Sequence, residues 1–131
     1  RLLAYNPSRS SLAADRIDFM GFVANEDLLG LYASSLALYY APLDEDYGLA
    51  TIEAMKSQKP VLTTSDSGGV LEFVKDGVTG FVTPPTDPGA LAQRIDELYT
   101  RRSTVKEMGA AAERFVAGIT WDKAIDSLLE E

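Results

Sequence analysis

Short apolar runs alternate with helical patterns over the first two thirds of the chain. That alternation restricts the fold to a parallel sheet with crossover helices, because parallel neighbours cannot be joined by a tight turn. Residues 2–5, 17–23, 36–41, 60–64 and 79–83 read as strands. The run at 36–41 is continuous, as expected of a strand buried on both faces. Residues 6–11 read as a polar loop. Between the strands, Asn25 is expected to cap a helix with Glu26 and Asp27 in its first turn and Leu28, Leu29 and Tyr32 as its apolar stripe. Residues 49–58 read as a second helix with Leu49, Ile52 and Met55 along one side, and residues 70–74 as a short third one. From Asp87 onward the pattern is helical only, with Asp87, Ser103 and Thr120 as expected caps and Trp121 as a packing anchor. No linker interrupts the pattern, so residues 1–131 read as one domain of the α/β class, a Rossmann-like doubly wound parallel sheet with C-terminal helices.

Composition removes several chemistries. The chain has no cysteine and no histidine, which excludes disulfides, thiolate metal sites and a serine-histidine-aspartate triad. No metal and no cofactor are expected. A net charge of -8 argues against nucleic acid as a partner. No apolar run approaches the roughly 18 residues of a membrane span. The chain opens on Arg1 rather than Met and is expected to be truncated at its N-terminus. A cytoplasmic location is expected, or a peripheral membrane one in the full-length protein.

The stretch from Leu36 to Glu53 carries the chemistry. It reads strand, acidic loop, glycine, helix. Ligands of open α/β sheets bind beyond the carboxyl ends of strands, and a helix N-terminus there offers unpaired N–H groups and a partial positive charge. Gly48 lets a ligand approach the backbone, so the amides of Tyr47, Gly48, Leu49 and Ala50 are candidates to hold a diphosphate. Glu45 and Glu53 flank that turn. Glu53 falls at the edge of the helix's apolar face and needs a partner, for which ribose hydroxyls are one candidate; Glu45 is placed to accept from sugar hydroxyls. The same acids also suit a helix start for dipole reasons alone. Residues 36–80 hold seven acids against Lys56, Lys59 and Lys75, so cations for a diphosphate are expected from outside the chain. Gly68 and Gly69 fit either a loop that approaches a ligand or a simple tight turn. Glu72 reads as an exposed helix acid or as a loop-ordering group, and Tyr39 and Tyr40 as part of a buried strand and its loop.

The run Glu45-Asp-Tyr-Gly-Leu-Ala-Thr-Ile-Glu53 resembles the two-glutamate signature of family four retaining glycosyltransferases. Met20-Gly-Phe-Val23, Asn25 through Tyr32, Lys59-Pro-Val-Leu62, Gly68 through Val82 and Thr120-Trp121 fit that family's order as well. The resemblance implies the C-terminal, donor-binding half of a two-domain GT-B enzyme. It implies transfer of a sugar from a nucleotide-sugar to an acceptor hydroxyl with retention of configuration. By the same resemblance Glu45 is the catalytic residue that contacts the transferred sugar, and Glu53 binds the ribose. The backbone of Tyr47, Gly48, Leu49 and Ala50 would hold sugar and diphosphate, and the backbone at Val23 would lie against the base. The acceptor, a glycan, lipid or small molecule, would be read by an N-terminal domain absent from this chain, so the fragment alone is expected to be inactive. Tyr47 stands where the family usually has phenylalanine, residues 7–16 are shorter than the usual crossover, and nothing matches the family's basic pair for the diphosphate. The alternative is a non-catalytic α/β nucleotide-binding or interaction module.

Overall fold

A computed structural model describes residues 2–3 and 17–129 of the chain. The expected loop at 6–11, the short crossover at 7–16 and the Trp121 side chain lie outside the described residues. The elements run β1 (Leu2–Leu3), β2 (Ile17–Asp18), α1 (Asn25–Ser34), β3 (Leu38–Tyr39), α2 (Leu49–Lys56), β4 (Val61–Thr64), a 3-10 turn (Gly69–Glu72), β5 (Gly80–Thr83), α3 (Pro88–Thr100), α4 (Arg102–Val116) and α5 (Trp121–Leu129). They divide into two units, Arg1–Leu31 and Tyr32–Glu131.

In the first unit β1 pairs parallel with β2, Leu2 opposite Ile17 and Leu3 opposite Asp18. The strand expected at 17–23 stops at Asp18, where the pairing with β1 ends, and Phe22 is 94% exposed. Val23 is half-buried in this unit. Helix α1 takes in Asn25 instead of being capped by it, and the Ala24 carbonyl accepts from the Leu28 N–H at 3.0 Å.

In the second unit three parallel strands run in the order β3-β4-β5. All four residues of β4 are buried, as befits the middle strand. The run at 36–41 is a correction: β3 stands at one end of this sheet, its residues are only partly buried, and Tyr39 is open on one face. Leu62, Phe81, Leu98 and Met108 form a core in which α3 and α4 cover β4 and β5, with Leu91 and Val105 packed against it. Helix α2 buries Thr51, Ile52, Ala54 and Met55. Leu49 at its first position and Leu29 on α1 are exposed, contrary to the expected stripes.

The helix caps are legible one by one. Asp87 caps α3 by accepting from the Ala90 N–H at 2.9 Å, with Pro88 in the first turn where its missing N–H costs nothing. Thr120 accepts from the Lys123 N–H at 3.3 Å and caps α5. Ser103 does not cap α4; Arg101 alone separates α3 from α4 and takes the capping position, which leaves Ser103 inside the helix.

Candidate functional site

The site grows from the carboxyl end of β3. The chain leaves the sheet after Tyr39, passes Pro42 and turns through Asp44, whose φ is 50° and whose N–H donates to the Asp66 carbonyl at 2.9 Å. Glu45 then forms a parallel bridge with Gly68, and the Gly69 N–H donates to the Glu45 carbonyl at 2.6 Å. The acidic loop therefore leans on the turn that follows β4. That turn is fixed from below by buried hydroxyls: Thr63 donates to Ser67 Oγ at 2.7 Å, and Thr64 Oγ1 lies 2.9 Å from the same atom.

This packing settles the part played by Gly68 and Gly69. A Cβ at Gly68 would sit 2.6 Å from the Glu45 carbonyl oxygen, and one at Gly69 would collide with the Asp46 carbonyl oxygen. The pair lets two backbones approach each other, a third possibility beside ligand approach and a simple turn.

Gly48 ends the loop and begins α2. Its φ of 70° and ψ of 58° are left-handed, it is buried, and a Cβ there would meet Val70 Cγ2 at 2.7 Å. No side chain caps α2. The amides of Leu49 and Ala50 therefore stand at an open helix end, with no intrahelical partner and with the positive end of the dipole. Tyr47, beside them, is partly exposed and sets its ring edge-on to Phe73 at 5.4 Å.

Each glutamate is held by a tyrosine. Tyr40 donates its phenol to Glu45 Oε2 at 2.8 Å, and Tyr32 donates its phenol to Glu53 Oε2 at 3.2 Å. The bond to Glu45, with burial and the carboxylate charge adding to it, pushes the Tyr40 phenol above its ordinary value. Burial, then the Glu53 charge and hydrogen bond, push Tyr32 up to about 12. Both phenols stay protonated at neutral pH and remain donors. The partner that Glu53 needed is thus Tyr32, and Glu53 itself is exposed.

The raised Tyr32 phenol makes a stability prediction. A neutral form favoured in the fold contributes stability that is complete below the unfolded value near pH 10 and is lost as pH rises through about 12. The thermal midpoint of the chain should therefore fall more steeply between pH 10 and 12 than that of Tyr32→Phe. Parallel curves for the two proteins would refute the assignment.

The three bases of residues 36–80 are tied to backbone carbonyls. Lys56 donates to Ile119 at 2.7 Å, Lys59 to Ala33 at 3.0 Å and Lys75 to Leu71 at 3.2 Å. Glu72 is exposed. Among the described residues no cluster of three acidic, histidine or cysteine side chains could hold a metal ion, and no helix is long and apolar enough to cross a membrane. A shallow depression of about 210 Å³ opens near the strand ends between Tyr39, Ala41, Asp66 and Thr86.

Five of the expected donor-site positions, Glu45, Tyr47, Gly48, Leu49 and Ala50, are thus gathered on one loop and helix end, with Glu53 on the second turn of the same helix. Val23 belongs to the first unit, Arg1–Leu31. Sequence reasoning missed Tyr32 and Tyr40 as carboxylate partners. A tyrosine five residues before Glu45 was the available signal for Tyr40; Tyr32 lies 21 residues from Glu53 and had none.

The comparisons place the chain. Residues 5–115 match the model of the family described as glycosyl transferases group 1. A D-inositol 3-phosphate glycosyltransferase of Nocardia farcinica is 30% identical over 117 residues, which cover 89% of this chain and 26% of that protein. Among solved structures, Anabaena HepE in complex with UDP-glucose superposes with a TM-score of 0.80 at 26% identity, over 88% of this chain and 32% of that one. The C-terminal domain of a group 1 glycosyl transferase (LpcC) from Francisella tularensis shares the fold with a TM-score of 0.69 at 24% identity, over 77% of this chain and 52% of that one. The chain spans about a quarter of the length of the curated relatives it matches. By its sequence match and its fold, this chain belongs to the glycosyl transferases group 1 family, and it matches the C-terminal part of its GT-B relatives.

Proposed function

We propose that this chain is the donor-binding domain of a retaining hexosyltransferase and that the open N-terminus of α2 receives the diphosphate of a nucleotide-sugar. The carrying observation is that two carboxylates, each fixed by a phenol, flank an uncapped helix end entered through a left-handed glycine. In this reading Glu53 accepts from the ribose hydroxyls. Glu45 accepts from hydroxyls of the transferred hexose and orients it. The amides of Leu49 and Ala50, with the backbone of Tyr47 and Gly48, stabilise the charge that develops on the departing diphosphate. The backbone at Val23 lies against the base. The solved complex of HepE with UDP-glucose supports a nucleotide-sugar as donor.

The three lysines of residues 36–80 donate to backbone carbonyls, and in this reading basic groups outside that stretch meet the remaining phosphate charge with no metal required. In this reading the acceptor hydroxyl is read by the other domain of the full-length protein.

The test is calorimetric titration of the full-length protein with UDP and with GDP. Glu53→Ala is expected to weaken the nucleotide that binds by about tenfold or more, the loss of a hydrogen-bonded carboxylate. Unchanged affinity in the variant, or binding of neither nucleotide by the unsubstituted protein, would sink the reading.

A further inference from the structure

We infer that Tyr32 and Tyr40 are positioning residues, each aiming one of the two carboxylates at a different part of the donor: Tyr32 directs Glu53 to the nucleotide and Tyr40 directs Glu45 to the sugar. This rests on the roles proposed above for the two glutamates. The geometry is parallel at the two places. A phenol O–H reaches one carboxylate oxygen, Oε2, at 3.2 Å from Tyr32 and 2.8 Å from Tyr40. Each carboxylate keeps a second oxygen that the phenol does not use.

The need for such a clamp is physical. Glu53 projects from the exposed side of α2, and a glutamate has rotamer freedom that a ligand must otherwise freeze. Tyr32 cannot swing away, because it is buried to 9% exposure on α1. Tyr40 stands at the end of β3, while the Glu45 backbone is pinned from the other side by Gly68 and Gly69. Each carboxylate is therefore fixed at both its backbone and its head group. The raised phenol values keep both donors protonated over the working range.

The experiment uses Tyr32→Phe and Tyr40→Phe in the full-length protein, which keep the ring and remove only the hydroxyl. Affinities for UDP and UDP-glucose, or for GDP and GDP-mannose if that is the base bound, are measured by calorimetry beside the thermal midpoint. Tyr32→Phe should weaken nucleotide and nucleotide-sugar alike by roughly fivefold. Tyr40→Phe should weaken only the nucleotide-sugar, by a similar factor. Tyr32→Phe added to Glu53→Gln should change nothing more, since the hydroxyl acts through that carboxylate. A merely structural tyrosine would lower the midpoint, move both ligands together at position 40, and at position 32 weaken UDP further when added to Glu53→Gln. If Glu53→Gln weakens UDP while Tyr32→Phe does not, or if Tyr40→Phe weakens both ligands equally, the inference is overturned and the role of Glu53 stands. If Glu53→Gln binds UDP undiminished, the donor reading itself fails and takes this inference with it.

Discussion

Gly68→Ala is expected to lower the turnover of the full-length protein about a hundredfold while leaving it folded, because it displaces Glu45 by a fraction of an ångström or more. Gly68 has φ 62° and ψ -132°, a backbone region that L-residues essentially never occupy. A Cβ there would stand 2.6 Å from the Glu45 carbonyl oxygen and 2.7 Å from its nitrogen, both backbone atoms with no rotamer to change. One side of this contact must move. The turn cannot, since Ser67 is wholly buried between Thr63 and Thr64 and bonded to both. The loop through Asp44, Glu45 and Asp46 has exposed residues on either side of Glu45 and yields instead. That pulls Glu45 off the Tyr40 phenol and shifts the entry to α2 at Gly48. Gly77→Ala is the control: its φ is 73°, so alanine meets backbone strain there too, but a Cβ there meets nothing within 4 Å. Strain without collision should cost stability of about 1 kcal/mol and leave turnover alone. Equal turnover for Gly68→Ala and the unsubstituted protein would show that the glycine pair does not position Glu45.

How much of this was readable beforehand depends on the range of the interactions. The strand and helix order followed from apolar runs, and Asp87 as a cap followed from a local rule that the Ala90 N–H obeys. Glu45, Gly48 and Glu53 were legible as a candidate site because one continuous loop and helix start holds all three. The misses are contacts between distant segments. Helical spacing placed Tyr32 on an apolar stripe, and it is buried there, yet its hydroxyl ends on a helix 21 residues away. The same spacing put Leu29 and Leu49 inside, and both are exposed, since periodicity names a face without saying what covers it. Gly68 and Gly69 read as either a loop approaching a ligand or a simple turn, and neither reading named the Glu45 and Asp46 backbones they admit, which arrive from another loop.

Gly109→Ala carries the largest expected effect on stability, and its sign separates local propensity from packing. Gly109 lies inside α4, where propensity alone predicts that alanine stabilises by about 1 kcal/mol. Packing predicts the opposite. A Cβ at Gly109 would collide with the Gln58 carbonyl oxygen and stand 2.8 Å from its carbon. Gln58 has little room to retreat. Its φ is 57°, its N–H donates to the Met55 carbonyl at 3.0 Å, and its side chain donates to Glu113 on α4 at 2.8 Å. The next residue is held too, with the Lys59 N–H donating to the Ala54 carbonyl at 3.0 Å. The helix must therefore move off the end of α2, loosening a face on which Met108, Ala112 and Val116 are buried. We expect a net loss of about 2 kcal/mol, the overpacking cost less the propensity gain. For a domain of this size that lowers the thermal midpoint by about 10 °C. Gly30→Ala, on α1, has open space at the Cβ and should raise stability by about 0.5–1 kcal/mol through propensity alone. Chemical denaturation of the two variants reads both signs in one experiment. A stabilised Gly109→Ala would mean that α4 does not press its backbone onto the end of α2.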